Sequence, residues 1–237
     1  FSLSAQKIID LSGKWSFSID RQDNGEKEKW FSHTLNDFIN LPGSMPEKLK
    51  GDEVTTKTQW TGSLYDSSYY YNPYMEKYRK EGNIKFPFFL TPDKHYVGAA
   101  WYQKEVNIPA DWKGERILLF LERPHIETTV WVNGQKTGMQ NSLCVPHQYD
   151  ITRYVRPGKC TITIRVDNRI KEINVGPDSH SITDQTQGNW NGIVGRICLQ
   201  TTPKTYFDDI QIYPEPEQKL ARVKVVIKGA GITKIKL

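Results

Sequence analysis

The sequence is short of what several common protein classes require. It holds three cysteines (Cys144, Cys160 and Cys198) and three methionines in 237 residues. The cysteine spacing fits neither a zinc pattern nor a CxxC redox pair, and an odd count argues against a disulfide framework. His147 and His180 lack ligand partners at metal spacing, which predicts no metal site; no cofactor is expected. No apolar run nears the ~18 residues that a membrane span needs. Residues 1–10 lack a basic start followed by an apolar core, so no signal peptide is read there. A dominant charge is missing too: 32 basic against 27 acidic residues leave +5. The one mild basic cluster, Lys219, Arg222, Lys224, Lys228, Lys234 and Lys236, reads as a solvated strand face and predicts no nucleic-acid partner. Helical periodicity is nearly absent, and the one short helix expected lies near Pro73 to Lys80.

What is present is strand. With 37% hydrophobic and 25% charged residues, the composition is that of an ordinary globular protein, long enough to bury a core. Strand-like runs cover residues 14–20, 101–108, 116–122, 126–133, 160–167, 194–200, 207–213 and 221–228. Trp15, Phe17 and Ile19 alternate as core positions. Cys160, Ile162, Ile164 and Val166 alternate with Thr161, Thr163, Arg165 and Asp167, the pattern of a half-buried strand. Many short strands with turn signals between them predict an all-β sandwich or jelly roll. Cys160 and Cys198 fall in apolar strand positions, where free cysteine behaves as a small buried hydrophobe.

The most informative stretch is residues 97–138. Val130 and Val132 share one strand face and Trp131 takes the other. Asn133-Gly134 then supplies the two φ > 0 positions of a tight hairpin. The phrases GAAWYQ (98–103), VWVNG (130–134), YDIT (149–152) and TIRVDN (163–168) resemble the sugar-binding domain at the N-terminus of glycoside hydrolase family 2, which includes β-galactosidases, β-glucuronidases and β-mannosidases. The resemblance implies a jelly roll of the galactose-binding-like type over residues 1–203. The wording changes at Thr201-Thr202-Pro203, and residues 204–237 are expected to open an immunoglobulin-like sandwich. They are too few to complete one, which needs about 100 residues, so a chain truncated at its C-terminus is expected.

Two segments could meet a sugar. Residues 178–195 (DSHSITDQTQGNWNGIVG) crowd polar side chains around Trp190. Asp, Asn and Gln match hydroxyl groups as acceptors and donors, and an aromatic ring covers the apolar face of a pyranose. The plain alternative is a Gly/Asn/Asp-rich connector between strands. In the resembling family this loop runs toward the mouth of the catalytic barrel, with an acid before a Gly-Ile pair. Counted back from Gly192-Ile193, that position holds Thr186, and the nearest acid is Asp184. This departure points to a branch with its own glycone contacts. The resemblance assigns Asp184, Asn189 and Thr186 to sugar hydroxyls and Trp190 to stacking. It also assigns Asn83, in the loop before AWYQ, where an ordinary turn after Gly82 is the alternative. Between Ser44 and Trp101 lie more than fifty residues of weak periodicity, rich in aromatics and therefore read as ordered. His125 and Glu127, two apart on a strand, read as a surface pair.

No hydrolytic pair is expected in this chain. Glu122 and Glu127 are rejected as paired glycosidase carboxylates, because the family carries its two catalytic glutamates on a (β/α)₈ barrel of about 250 residues. The implied role is to support that barrel, a missing part of the same polypeptide, and to contribute to a pocket for a terminal β-linked sugar. A periplasmic or secreted location follows from the resemblance. The absence of an Asn-x-Ser/Thr sequon fits a bacterial source. The alternatives are an independent carbohydrate-binding module and an adhesion-type ectodomain. An exposed aromatic platform in the insertion would mark the first, and a large apolar patch on one sheet face the second.

Overall fold

The computed structural model describes residues 6–61, 71–85, 91–143, 145–171, 184 and 188–229. Strands dominate, as alternation predicts. One sheet joins β1 (Ile8–Asp10), β13 (Gly192–Thr202), β8 (Arg116–Pro124) and β11 (His147–Asp150) in that order, with β4 (Gly43–Ser44) also paired to β13. The other runs β10 (Gln135–Asn141), β9 (Glu127–Val132), β12 (Gly158–Asp167), β7 (Ala99–Ile108), β2 (Gly13–Asp20) and β3 (Asp37–Leu41). The two sheets face each other across one apolar core that includes Trp15, Phe17, Tyr102, Leu119, Val130, Val132, Ile164 and Ile197. This is the all-β sandwich of the expected jelly roll. Cys160 and Cys198 are buried and free, and desolvation pushes the Cys160 thiol up to about 11. Cys144 and His180 lie outside the described residues.

The β9–β10 turn follows the sequence. Asn133 and Gly134 have φ of 51° and 77°, and Asn133 Oδ1 accepts the Thr161 N–H at 3.0 Å. Trp131 faces away from Val130 and Val132, as alternation requires.

One expectation needs correction. The outer face of β12 is not solvated: Thr163, Arg165 and Asp167 are all buried. The segment between β2 and β3 folds back over this face. Trp30, Phe31 and Leu35 pack on Trp101 and Trp131, with Phe31 stacked on Trp131 at 5.2 Å. Gln103 Nε2 donates to His33 O at 2.9 Å. At the end of β12 the covering is ionic. Arg165 reaches Asp23 (2.6 Å), Asp167 (3.0 Å) and Glu127 (3.3 Å), and Arg169 and Lys171 also bind Asp167. Burial pushes the Asp167 carboxyl up, but these cationic donors outweigh it and hold it far below the usual range. Glu127 is therefore not part of a surface pair.

The long insertion is ordered where described. Trp60 anchors a small cluster with Val54, Met75, Tyr78 and Ile84. β5 (Asp52–Glu53) pairs with β6 (Lys94–His95). The helix expected near residues 73–80 is a 3₁₀ turn, Pro73–Arg79, capped by Asn72. Finally, β14 (Tyr206–Glu215) and β15 (Leu220–Lys228) pair with each other as a separate two-stranded sheet. Among the described residues no helix is long and apolar enough to cross a membrane.

Candidate functional site

The strand ends Asp20, Ala99, Pro124, Glu127, Asp167 and Gly192 lie at one end of the sandwich, as the strand pairing requires. The candidate loop leaves β12 and enters β13 at this end. Three asparagines fasten it. Asn191 Nδ2 donates to Gly98 O and Val166 O, both at 2.9 Å, and its Oδ1 accepts the Tyr102 hydroxyl at 2.7 Å. Asn168 Oδ1 accepts the Gly98 N–H at 2.8 Å, and its Nδ2 donates to Tyr96 O at 2.9 Å and Asn189 Oδ1 at 3.0 Å. Asn189 Nδ2 returns to Asn168 O and to Thr61 Oγ1, each at 3.1 Å. Side-chain amides suit this task because each carries donors and an acceptor, which buried backbone groups need.

Asp184 belongs to the same brace. One carboxylate oxygen accepts the Thr61 N–H at 2.6 Å and the other accepts the Asn189 N–H at 2.5 Å. Its own N–H donates to Thr61 O at 2.8 Å. Burial raises its pKa, with these two N–H donors pulling the other way. Asp184 is 1% exposed and Asn189 4%. Both therefore act on the protein's own backbone here, tying the loop to the insertion at Thr61.

Trp190 is half-buried, and its ring stacks on His125 with centroids 4.6 Å apart and planes at 21°. His125 precedes β9 and is 7% exposed, so it too lies away from the expected surface. Burial lowers its pKa to about 4 against a smaller opposing effect of Asn189, leaving a neutral imidazole at neutral pH. Asn83 sits at the surface, where its Nδ2 donates to Lys77 O at 2.8 Å; it is separate from the brace. Thr186 lies outside the described residues. The structure thus joins Asp184, Asn189 and Trp190, and it adds Thr61, His125, Asn168 and Asn191. Of these, Asn168 stood in a quoted motif, at the end of TIRVDN, and Asn191 in the quoted loop, while Thr61 stood in neither. Among the described residues no group of acidic, histidine or cysteine side chains could hold a metal ion. The exposed aromatics of the insertion include Tyr71 and Tyr74, whereas Trp60 is core.

Comparison with known proteins gives a consistent picture. The family model described as "Glycosyl hydrolases family 2, sugar binding domain" matches residues 8–203. The human beta-glucuronidase is 24% identical, with 98% of this chain and 35% of that protein covered. The beta-glucuronidase of Paenibacillus borealis is 27% identical, covering 87% of this chain and 31% of that protein. The chain spans about a third of the length of these curated relatives. Among solved structures, a beta-glucuronidase from an uncultured Clostridium superposes with a TM-score of 0.62 at 21% identity, over 94% of this chain and 34% of that one. The Ruminococcus gnavus beta-glucuronidase in complex with D-glucuronic acid gives 0.63 at 17% identity, over 94% and 35%. At such identities the superpositions speak for the fold.

Proposed function

Because the chain belongs to the sugar-binding domain family of the family 2 glycosyl hydrolases, we propose that it buttresses the catalytic barrel of a retaining β-glycosidase and lends loop residues to the glycone pocket. The family match over residues 8–203 carries this reading. The relatives named beta-glucuronidase make a terminal β-linked uronic acid the first glycone to test. Retention proceeds through a glycosyl-enzyme intermediate between two carboxyl groups about 5–5.5 Å apart, and the barrel supplies both. In this reading Trp190 forms a wall of the pocket, while Asp184 and Asn189 hold the loop that presents it. Thr186 is assigned a hydroxyl contact. Asn83 is assigned a weaker one, through the Oδ1 that its bond to Lys77 leaves over.

Residues 204–237 are proposed as the opening of an immunoglobulin-like sandwich. In support, the β14–β15 hairpin exposes Phe207, Ile210, Ile212 and Val223 on one face, apolar side chains that a facing sheet would cover. The proposed location is the periplasm or the extracellular space, which cell fractionation checks.

The direct test assays the full-length protein and the 237-residue chain side by side on 4-nitrophenyl β-glucuronide, β-galactoside and β-mannoside. Turnover by the full-length protein and none by the chain is expected. A full-length protein inert on all three, whose isolated chain retains polysaccharide, would establish an independent binding module instead.

A further inference from the structure

A cavity of about 510 Å³ opens beside the brace, lined by the end of β2 (Asp20, Arg21, Asp23), the insertion (Asp52, Glu53, Thr55, Lys57, Thr58, Gln59), residues 95–99 and Arg169. That volume falls within the range of small-molecule sites, about 300–1,000 Å³. Its lining differs from the usual one: among the described residues Val97 and Ala99 are the only aliphatic side chains, and Tyr96 the only benzenoid ring. An apolar ligand would find little to bury against.

The charges in this wall are largely matched within the protein. Arg21 pairs with Asp52, and Glu53 with Lys94. Asp23 pairs with Arg165 and Arg169. Asp20 accepts the N–H groups of Asn24, Gly25 and the Trp101 indole. A charged ligand would meet groups already paired with opposite charge, Lys57 apart, whereas a neutral ligand needs only their spare hydrogen-bonding positions. Hydrogen-bonding capacity is left over, however. Thr58 Oγ1 accepts the Thr55 N–H and Thr55 Oγ1 accepts the Lys57 N–H, so each hydroxyl keeps its own proton to donate. Asp52 engages one carboxylate oxygen with Arg21, and Glu53 one with Lys94; the second oxygens can accept. His95, 6% exposed, has a buried Nδ1 with no hydrogen-bond partner among the described residues.

We propose that this cavity binds a neutral saccharide unit of one to two rings, whose hydroxyls take up the spare donors of Thr55, Thr58 and Arg21 and the spare acceptors of Asp52 and Glu53. Hydroxyl groups donate and accept at once, which this alternating lining requires. The inference concerns ligand binding by this chain alone and does not depend on the glycone-pocket reading. It has a structural consequence, because Gln59 lines the cavity while Thr61, two residues on, holds Asp184. Occupancy at one end of that short segment bears on the loop at the other.

The test is a ¹⁵N-HSQC titration of the 237-residue chain with cellobiose, with sodium glucuronate and sorbitol in parallel arms. Cellobiose is expected to shift amides in residues 20–23, 52–59 and 95–99, saturating in the millimolar range. Thr58→Val and Arg21→Gln, both at solvent-accessible positions, should each weaken this binding about three- to tenfold, the effect of one lost hydrogen bond, with unchanged thermal melts. Shifts with glucuronate alone, shifts confined to residues 188–191, or no shift with any probe would each overturn the proposal.

Discussion

The Trp190 indole lies 4.6 Å from the His125 imidazole and nearly parallel to it, so one face of the loop's aromatic ring is already spent on the protein. His125 is itself buried. What Trp190 offers outward is held in orientation by a largely buried residue.

That burial gives a pH dependence. The folded His125 pKa is lowered to about 4 from 6.5, so between these values the unfolded chain binds the extra proton. Stability is therefore full above about pH 6.5 and falls as the pH drops toward 4. The loss is roughly 3 kcal/mol at about 1.4 kcal/mol per unit. His147 is shifted in the same direction by burial and adds to the slope. Urea unfolding of the wild type and His125→Asn at pH 7.5, 6 and 4.5 checks this. The variant is expected to be less stable at pH 7.5 and to show a shallower decline.

Asp184→Ala is expected to lower stability, because it strands the N–H groups of the partly buried Thr61 and the buried Asn189. Each unsatisfied group costs about 1–3 kcal/mol, so the two together, about 2–6 kcal/mol, lower Tm by roughly 4–24 °C at about 2–4 °C per kcal/mol. Asp184→Asn should fall between, since an amide offers one acceptor oxygen instead of two. Differential scanning calorimetry ranks the three. Equal melting temperatures would mean that the loop is not braced through this carboxylate.

Trp190→Ala should separate function from folding. In the full-length protein, losing one buried pocket wall of about 1.5–3 kcal/mol reduces kcat/KM roughly ten- to a hundredfold. Its melt should change less than that of Asp184→Ala. Steady-state kinetics on a cleaved β-glycoside, beside thermal melts, makes the comparison. Unchanged kinetics would reduce the loop to a connector.

Arg165→Met tests the ionic cover of β12. It removes a cation shared by Asp23, Glu127 and the fully buried Asp167. Breaking a buried pair costs about 3–5 kcal/mol, though Arg169 and Lys171 still attend Asp167 and favour the lower end. Chemical denaturation at neutral pH gives the value.

The strands with strong alternation were readable from the sequence, and so was the Asn133-Gly134 turn. The strands it did not announce, such as Gln135–Asn141 and His147–Asp150, are short or polar, and their pairing is decided by neighbours rather than by their own wording. The outer aromatic layer was missed although a signal existed: Trp101 and Trp131 both fall on what alternation marks as the solvent face, and large aromatics there require a cover. Asp184, Asn189 and Trp190 were legible as a polar aromatic cluster. Their internal partners were not, because Thr61 is 123 residues from Asp184 in sequence. A carboxylate that serves a backbone reads the same as one that serves a ligand until the fold brings that backbone to it.

Asn168 and Asn191 anchor the two ends of the candidate loop to the backbone of β12 and of the β6–β7 junction, at Val166, Tyr96 and Gly98. Those two asparagines make the exit from β12 and the entry to β13 fixed posts, so the positions from which the loop is presented are set by the sandwich itself.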